Sequence, residues 1–315
     1  MTTLITGSSG FIGRHLINYF LEKKYNLDES IYLLDRNNDK INVYKDYKIK
    51  IITIDEIYKN NLKFDSIIHL AGKAHDKIFN KEDIKTNYIF SKQLLSYSNK
   101  IKLNKFIFIS TIKVYGEETS KGIPHLENSI PRPMSNYAIS KLQIENEIIN
   151  SFKNNSTKYF ILRIPVVIGP GAKGNLNSLI KILNKGLPLP FDKISNKRSF
   201  ISISNLVNQI LKILNQTNLT SGIYNLSDNS CLSSTELINF INNKLNKKSN
   251  IFYLNKNILF FLSFLINKKS EYKKFFSSQF LDNNKSIKSL NFSEIVNTET
   301  EINNMVSYFK KKLWK

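Results

Sequence analysis

The residues best suited to chemistry are a tyrosine and a lysine four positions apart, Tyr137 and Lys141, in the run Y-A-I-S-K. On a helix the two side chains would share one face, and Ser135 and Asn136 are good caps for such a helix. A nearby ammonium group lowers the pKa of a phenol, so Tyr137 could accept a proton from a substrate hydroxyl near neutral pH. Thr111, a hydroxyl at the end of an apolar run, is the candidate third group of this site.

The element that would hold a cofactor against this site is the segment T-G-S-S-G-F-I-G at residues 6–13. A short apolar strand precedes Gly7, Gly10 and Gly13, and helix-spaced apolar residues follow them. Strand, glycine turn and helix in this order are typical of dinucleotide binding, in which the start of the helix meets the pyrophosphate. The predicted cofactor residues of this turn are Gly7, Ser9, Gly10, Phe11, Ile12 and Gly13.

Two acidic residues follow the next predicted strands. Residues 31–34 predict a second strand that ends at Asp35, where an acid can accept hydrogen bonds from the adenosine ribose of NAD. Arg36 beside it could instead bind the 2′-phosphate of NADP. Residues 49–54 predict a third strand that ends at Asp55, a candidate partner of the adenine amino group. The pattern favours NAD(H) and leaves NADP(H) possible.

The alternation of strands and helices predicts an α/β fold with a doubly wound, Rossmann-type parallel sheet. Residues 66–72 predict a fourth strand, and residues 106–109 predict a fifth that ends in Ser110 and Thr111. His69 lies inside the fourth strand and is predicted to be a packed core histidine. Because ligands of such sheets bind beyond the carboxyl ends of the strands, the further cofactor candidates are Leu70, Ala71, Gly72 and Ser110.

Four motifs in this order make the chain resemble the extended short-chain dehydrogenases/reductases, in the group of NAD-dependent epimerases and dehydratases that act on nucleotide sugars. They are T-G-S-S-G-F-I-G at 6–13, S-T-I-K-V-Y-G at 110–116, Y-A-I-S-K at 137–141 and R-I-P-V-V-I-G-P-G at 163–171. The resemblance implies that Tyr137 exchanges the proton of the sugar hydroxyl, that Thr111 hydrogen-bonds the same oxygen, and that Lys141 holds the nicotinamide ribose.

The same resemblance adds three cofactor residues and an assembly. Asn87 resembles the asparagine that opens a helix in this family, here predicted over residues 86–99, and Pro165 and Val166 would border the nicotinamide. The family also implies a homodimer, formed through the helices that follow strands four and five.

The residues after Thr111 restrict the reaction. Sugar 4,6-dehydratases of this group carry Asp-Glu there, whereas this chain has Ile112 and Lys113. Isoleucine cannot transfer a proton, so dehydration is not expected. Reduction of a 4-keto sugar and 4-epimerisation remain. Tyr115, in a V-Y-G segment typical of epimerases, and the NAD-type acid at Asp35 keep a UDP-hexose (UDP-glucose or UDP-N-acetylglucosamine) 4-epimerase open, and a non-catalytic NAD(P)-sensing protein is a third alternative.

The second half resembles the 4-ketoreductases that complete UDP-N-acetylquinovosamine in bacterial surface-polysaccharide pathways. The resemblance is carried by G-A-K-G-N at 171–175, P-L-P-F at 188–191 and N-K-R-S-F at 196–200. It implies that Asn175 and Arg198 hold the uridine diphosphate, Arg198 through bidentate phosphate contacts. The full set of predicted substrate residues is Lys113, Lys173, Asn175, Pro190 and Arg198.

Composition excludes several partners and compartments. The 315 residues contain one cysteine, Cys231, so an intrachain disulfide is impossible and a reducing compartment is expected. Since no signal peptide is evident, the expected location is the cytoplasm. The net charge is +21, but only five of the 46 basic residues are arginines and the lysines are scattered, so no nucleic-acid partner is predicted. No cluster of metal ligands is evident.

One apolar run, I-L-F-F-L-S-F-L-I at 258–266, is too short to cross a bilayer, which takes about 20 residues. It predicts a buried or partner-facing helix. Its flanking lysines, Lys256 and Lys268–Lys269, leave peripheral contact with an anionic membrane as an alternative.

The predicted organisation is a nucleotide-binding domain over residues 1–170, to which part of 195–228 returns, and a smaller mixed α/β substrate domain over 171–315. Helices are predicted over 178–184, 204–215 and 233–245, and a strand over 223–226.

Overall fold

The computed structural model describes residues 1–22, 30–34, 49–72, 81–120, 122–245, 249–265, 272 and 275–313. Its strands are β1 (Thr2–Thr6), β2 (Ser30–Leu34), β3 (Ile49–Ile52), β4 (Ser66–His69), β5 (Lys105–Thr111), β6 (Lys158–Ile164), β7 (Val166–Ile168), β8 (Arg198–Ser202), β9 (Gly222–Asn225) and β10 (Cys231–Leu232). Its helices are α1 (Phe11–Glu22), α2 (Ile54–Lys59), α3 (Lys81–Lys100), α4 (Asn136–Phe152), α5 (Asn175–Asn184), α6 (Ile203–Asn215), α7 (Ser234–Leu245), α8 (Lys256–Leu265), α9 (Asn284–Leu290) and α10 (Thr298–Leu313).

Within this part of the chain, seven parallel strands form the main sheet in the order β3-β2-β1-β4-β5-β6-β9. The chain runs outward from β1 to β3 and then crosses to β4 on the other side of β1, so the topological switch point lies between β1 and β4. Both faces are covered: α1 and α6 contribute to the core on one face, and α2, α3 and α4 to the core on the other. The predicted Rossmann-type fold is confirmed.

A smaller sheet has the order β10-β8-β7, with β7 and β8 parallel and β8 and β10 antiparallel. Residues of α5, α7 and α10 pack with it in a separate core. The chain then returns to the main sheet, because α6 packs against α1 and β9 pairs with β6. The smaller sheet therefore begins inside the sequence of the main one, at β7, and ends after it, at β10. The proposed domain boundaries stay a prediction.

Several predicted bounds need correction. The third strand ends at Ile52 instead of at Asp55, because Thr53 caps α2 in a capping box with Glu56. Helix α3 begins at Lys81, so Asn87 lies inside it and does not open it. Helix α5 begins three residues before the predicted position, at Asn175. The helices predicted at 204 and 233 and the strand at 223 are each displaced by a single residue.

The apolar run at 258–266 lies mostly in α8, and of the two expected placements, buried or partner-facing, the buried one is wrong. Phe261 and Leu265 are 60% and 62% exposed. None of the helices in the described part of the chain is long and apolar enough to cross a membrane.

Candidate active site

The glycine turn between β1 and α1 has a geometry that only glycine fits. Gly7 has φ +72°, and a Cβ placed on it would lie 2.7 Å from the backbone nitrogen of Ala71. A Cβ on Gly13 would lie 2.3 Å from the carbonyl oxygen of Gly7, and Gly10 N–H donates to that oxygen at 3.0 Å. Ser9 is exposed at the tip of the turn, and Phe11 and Ile12 begin α1. The backbone here can approach a pyrophosphate closely.

The ends of β1 and β4 are joined by a buried hydrogen-bond chain through His69. The Ser91 hydroxyl donates to the Asn87 carbonyl, so its oxygen accepts from His69 Nε2 at 2.8 Å. The Thr6 hydroxyl then donates to His69 Nδ1 at 2.7 Å. Burial lowers the pKa of His69 to about 3, which keeps the ring neutral. The prediction of a core histidine is confirmed.

Beyond the end of β4, the predicted cofactor residues Gly72 and Asn87 lie close to Lys141. A Cβ on Gly72 would lie 3.5 Å from Lys141 Nζ and 3.9 Å from Asn87 Nδ2. Gly72 has φ +154°, and Leu70 and Ala71, which precede it, are half-buried. Gly72 thus leaves open the space in front of Lys141 and Asn87. This arrangement and the glycine turn fit a dinucleotide that extends from α1 to Lys141.

The three catalytic candidates come from β5 and α4. Ser135 caps α4 as predicted, since its hydroxyl accepts from Ala138 N–H at 3.2 Å. Tyr137 and Lys141 therefore stand in the first and second turns of one helix. Thr111 is the last residue of β5, where its hydroxyl accepts from the backbone of the following short 3₁₀ turn.

Lys141 is almost completely buried, with 5% of its surface exposed. Its Nζ donates to the Ile109 carbonyl at 2.8 Å and lies 4.5 Å from the ring centroid of Phe108. Burial lowers the pKa of Lys141 to about 8, against an opposing effect of the Glu145 carboxylate. A single backbone acceptor leaves this ammonium able to donate to a ligand as well.

The phenol of Tyr137 does not have the lowered pKa that the sequence predicts. Burial raises the pKa of Tyr137 to about 12. The ammonium of Lys141 lies 6.0 Å from the ring centroid and donates to the Ile109 carbonyl. Burial removes the water that would stabilise a phenolate, and this effect on the pKa is larger than the attraction between a phenolate and the Lys141 ammonium. Tyr137 is therefore protonated at neutral pH.

A buried ion pair behind the catalytic candidates was not predicted. Arg163 Nη2 lies 2.6 Å from Glu145 Oε2, and Arg163 Nε also donates to this carboxylate. The Ser110 hydroxyl donates to Glu145 as well, so Ser110 could offer a cofactor its backbone and the acceptor lone pairs of that hydroxyl. In the sequence Glu145 follows Lys141 at i+4 on the same helix face, a spacing that does not indicate Arg163 as its partner.

Tyr115 extends this buried cluster towards β9. Its ring stacks on His125 with 4.8 Å between centroids, and the Arg163 guanidinium lies 4.7 Å from its ring centroid. Its hydroxyl donates to Asn225 Oδ1 at 2.8 Å, and burial raises its pKa to about 12. Tyr115 therefore links β5 to the far edge of the main sheet.

Two predicted substrate residues share an acidic neighbour that the sequence did not reveal. Lys113 is half-exposed and forms an ion pair with Glu117 at 3.5 Å. Arg198 begins β8, and its Nη1 donates to the Ser277 carbonyl at 3.4 Å. Burial lowers the pKa of Arg198, and the charge of Glu117 opposes that shift. The structure thus brings Lys113, Glu117 and Arg198 into one charged group.

The other predicted substrate residues lie on the smaller sheet's side of the molecule. Asn175 is exposed at the first position of α5, where Gly174 provides no side-chain cap for the N–H groups of the helix. Lys173 is exposed just before it, and Pro190 is half-buried in the segment that leads to β8.

The remaining cofactor candidates lie in different parts of the chain. Asp35 and Arg36 lie outside the described residues. Asp55 lies in the first turn of α2. Pro165 is buried between β6 and β7, and Val166, at the start of β7, is 42% exposed.

Comparison with known proteins identifies the family of this chain. The NAD dependent epimerase/dehydratase family matches residues 3–227. UDP-glucose 4-epimerase from Vibrio cholerae is 31% identical over 245 residues, covering 75% of this chain and 73% of that protein. dTDP-4-dehydro-6-deoxyglucose reductase from Escherichia coli is 29% identical over 270 residues, covering 78% of this chain and 82% of that protein.

Among solved structures, UDP-glucuronic acid 4-epimerase from Bacillus cereus in complex with NAD superposes with a TM-score of 0.78 over 100% of both chains, at 23% identity. This likeness supports the fold. The family match extends from β1 to β9 and so includes the glycine turn, Thr111, Tyr137 and Lys141. By that match the protein belongs to the NAD dependent epimerase/dehydratase family.

Proposed function

We propose that this protein is a nucleotide-sugar 4-ketoreductase, which reduces the C4 keto group of a UDP-linked 4-keto-6-deoxy-N-acetylhexosamine with NAD(P)H in bacterial surface-polysaccharide biosynthesis. The observation that supports the proposal is that Lys141 donates to the Ile109 carbonyl of β5, two residues before Thr111, and lies 6.0 Å from the ring centroid of Tyr137 and next to Gly72.

The cofactor of this proposal is NAD(H), and the NAD-bound structure of a related fold supports it. Gly7, Gly10 and Gly13 would admit the pyrophosphate, and Asn87 and Lys141 would hydrogen-bond the nicotinamide half. NAD(P)H, when bound, supplies the hydride. Asp35 and Arg36 would determine whether NAD or NADP binds.

The proton of the reaction would come from Tyr137. Because burial raises the pKa of this phenol to about 12, it holds its proton at neutral pH and can give it to an oxygen that gains negative charge. The Thr111 hydroxyl would hydrogen-bond the same oxygen. The Lys141 ammonium would stabilise the resulting phenolate, since it lies 6.0 Å from the centre of the tyrosine ring.

Elimination of water does not fit these side chains. Ile112 is 3% exposed and has no proton to transfer, and Lys113 is engaged with Glu117. A reaction at C4 alone is therefore favoured over 4,6-dehydration.

The uridine diphosphate would be held by Arg198 and Asn175, with Lys113, Lys173 and Pro190 around the substrate. Arg198 has the planar donor geometry that suits phosphate oxygens. The negative charge of Glu117 raises the pKa of Arg198 and so acts as a counter-ion to its guanidinium. A bound diphosphate would supply part of that negative charge.

A UDP-hexose 4-epimerase is the second candidate, and the similarity to the epimerase of Vibrio cholerae favours it. It would use the same three residues but would keep its cofactor bound and return the hydride to the opposite face of the sugar. A cofactor-sensing protein without catalysis is the third candidate, and it leaves the three residues without a role.

Nicotinamide absorbance tests the proposal. The protein is incubated with a UDP-4-keto-6-deoxy-N-acetylhexosamine and either NADH or NADPH. Stoichiometric loss of reduced cofactor with a reduced sugar product is the expected result. No loss, together with NAD that stays bound through purification and interconversion of UDP-sugar C4 epimers, would replace the reductase with the epimerase.

Substitution of the proposed proton donor separates either enzyme from a sensor. Tyr137→Phe should reduce turnover at least about 100-fold, which is the range of general acid catalysis, while NAD binding persists. Full turnover by Tyr137→Phe with any sugar nucleotide would show that the catalytic assignment is wrong.

A further inference from the structure

Helix α8 presents apolar side chains to solvent and a polar one to the protein. Ile258, Phe261 and Leu265 recur at i, i+3 and i+7, so they lie on one face, and they are 50%, 60% and 62% exposed. Ser263 faces the other way and is buried, with its hydroxyl donating to the Phe260 carbonyl at 2.7 Å. This is the reverse of the pattern expected for a helix on the surface of a protein in water.

Contacts of Tyr272 hold α8 in this orientation. Its hydroxyl donates to the Lys256 carbonyl at 3.0 Å, and its ring lies edge-on to Phe260 at 5.6 Å between centroids. The same ring stacks on Phe276 at 4.4 Å, and Phe276 in turn contacts Phe191. The apolar face therefore points outward on a helix that is packed against the protein on its other side.

We propose that this outward face, formed by Ile258, Phe261 and Leu265, binds the surface of an anionic lipid bilayer. Ten residues of helix span about 15 Å, half of the roughly 30 Å of a hydrocarbon core, so the helix lies on the membrane and does not cross it. A helix in the interface plane buries its apolar face at the boundary of headgroups and acyl chains.

The sequence on both sides of α8 favours an anionic lipid. Residues 246–276 contain seven lysines and a single acidic residue, Glu271, within a chain of net charge +21. Lysines close in sequence to a membrane-bound apolar helix add attraction to negatively charged headgroups. Lys193 lies 5.8 Å from the ring centroid of Tyr253, which is 57% exposed three residues before α8, and such aromatic side chains are enriched at the membrane–water interface.

The same charge opposes the other simple occupant of the face, a second copy of this chain. A twofold contact through α8 would bring two lysine-rich segments of one sequence together, at a cost in like-charge repulsion. An anionic surface has the opposite effect. The proposal does not depend on which sugar reaction the protein catalyses.

Sedimentation with vesicles tests the proposal. The full-length protein is mixed with vesicles of phosphatidylcholine alone or of phosphatidylcholine with phosphatidylglycerol. We expect binding to the anionic vesicles only, and weaker binding at high salt. Phe261→Ser combined with Leu265→Ser should weaken it at least about tenfold. Ile295→Ser, a change at an apolar residue with a matching exposure of 59%, should leave it unchanged.

Three results would overturn the proposal. They are the absence of binding to anionic vesicles, equal binding by the double variant, and a concentration-dependent dimer that the double variant abolishes in sedimentation velocity. Retained turnover by the double variant would verify that it is folded, since neither residue lies in the proposed active site.

Discussion

Replacement of Lys141 by methionine should change how stability depends on pH, because the native state holds this lysine at an energetic cost. The side chain is 5% exposed, and burial lowers its pKa from the ordinary value of 10.5 to about 8. Methionine has a similar length and needs no hydration. The substitution removes the buried charge and also the hydrogen bond to the Ile109 carbonyl.

The size and sign of the effect follow from proton linkage. At 1.36 kcal/mol for each pH unit, the shift corresponds to about 3 kcal/mol. Between pH 8 and pH 10.5 the unfolded chain binds more protons at this site than the native protein, so raising the pH stabilises the native state. Below pH 8 the lysine is charged in both states, and the full penalty of burying that charge is present.

Urea denaturation at several pH values measures this effect. The free energy of unfolding of the wild type, minus that of Lys141→Met, should rise by about 2 to 3 kcal/mol from pH 7 to pH 10. Lys181→Met, at an exposed lysine of α5, is the matched control for the loss of a lysine side chain. If the Lys141→Met difference stays constant, the ammonium is not desolvated in the native protein and the reasoning is wrong.

Three further substitutions test other parts of the structure. Gly13→Ala would place a Cβ 2.3 Å from the Gly7 carbonyl oxygen, so NAD affinity measured by calorimetry should fall at least about tenfold; an unchanged affinity would contradict the cofactor assignment. Arg198→Lys should raise KM for the UDP-sugar about tenfold with little change in kcat, since lysine cannot make the bidentate contact; the reverse pattern in steady-state kinetics would remove Arg198 from substrate binding. Asp228→Ala should lower the free energy of unfolding in urea by about 3 kcal/mol or more, because the buried carboxylate accepts from the backbone and hydroxyl of Ser202; a loss below about 1 kcal/mol would refute that role.

The parts of the fold that could be predicted rest on local signals. The glycine turn is one such signal. Neighbouring backbone atoms leave no room for a side chain at Gly7 or Gly13, so the spacing of the glycines reports the turn directly. The cap at Ser135 is another, since capping takes place within one turn of helix. Short apolar runs between these signals were sufficient to place the strands of a parallel sheet.

Some errors were also local. Thr53 and Glu56 have the spacing of a capping box, which marks a helix start and explains why Asp55 does not end a strand. For α3 two start signals compete. Thr86 is a good cap residue, but the helix begins five residues earlier, where the sequence also offers a cap residue, Asn80, followed by two acids at 82 and 83.

The buried polar cluster could not be predicted because its partners are distant in sequence. Arg163 and Glu145 are 18 residues apart, and Tyr115 and Asn225 are 110 residues apart. Each side chain alone is an ordinary polar residue. Only the pairing of β5 with β6, and of β6 with β9, brings them together below the catalytic candidates.

The buried position of Tyr115 in this cluster weakens one argument for the epimerase. In the sequence, Tyr115 makes the V-Y-G segment similar to that of epimerases and so favours the second candidate. In the structure Tyr115 is 3% exposed, stacked on His125 and hydrogen-bonded to Asn225. A side chain that protein atoms enclose on nearly all sides has no surface to offer a sugar. Tyr115 therefore indicates how the sheet is held together, and the choice between reduction and epimerisation depends on whether the cofactor leaves after each turnover, which the nicotinamide assay measures.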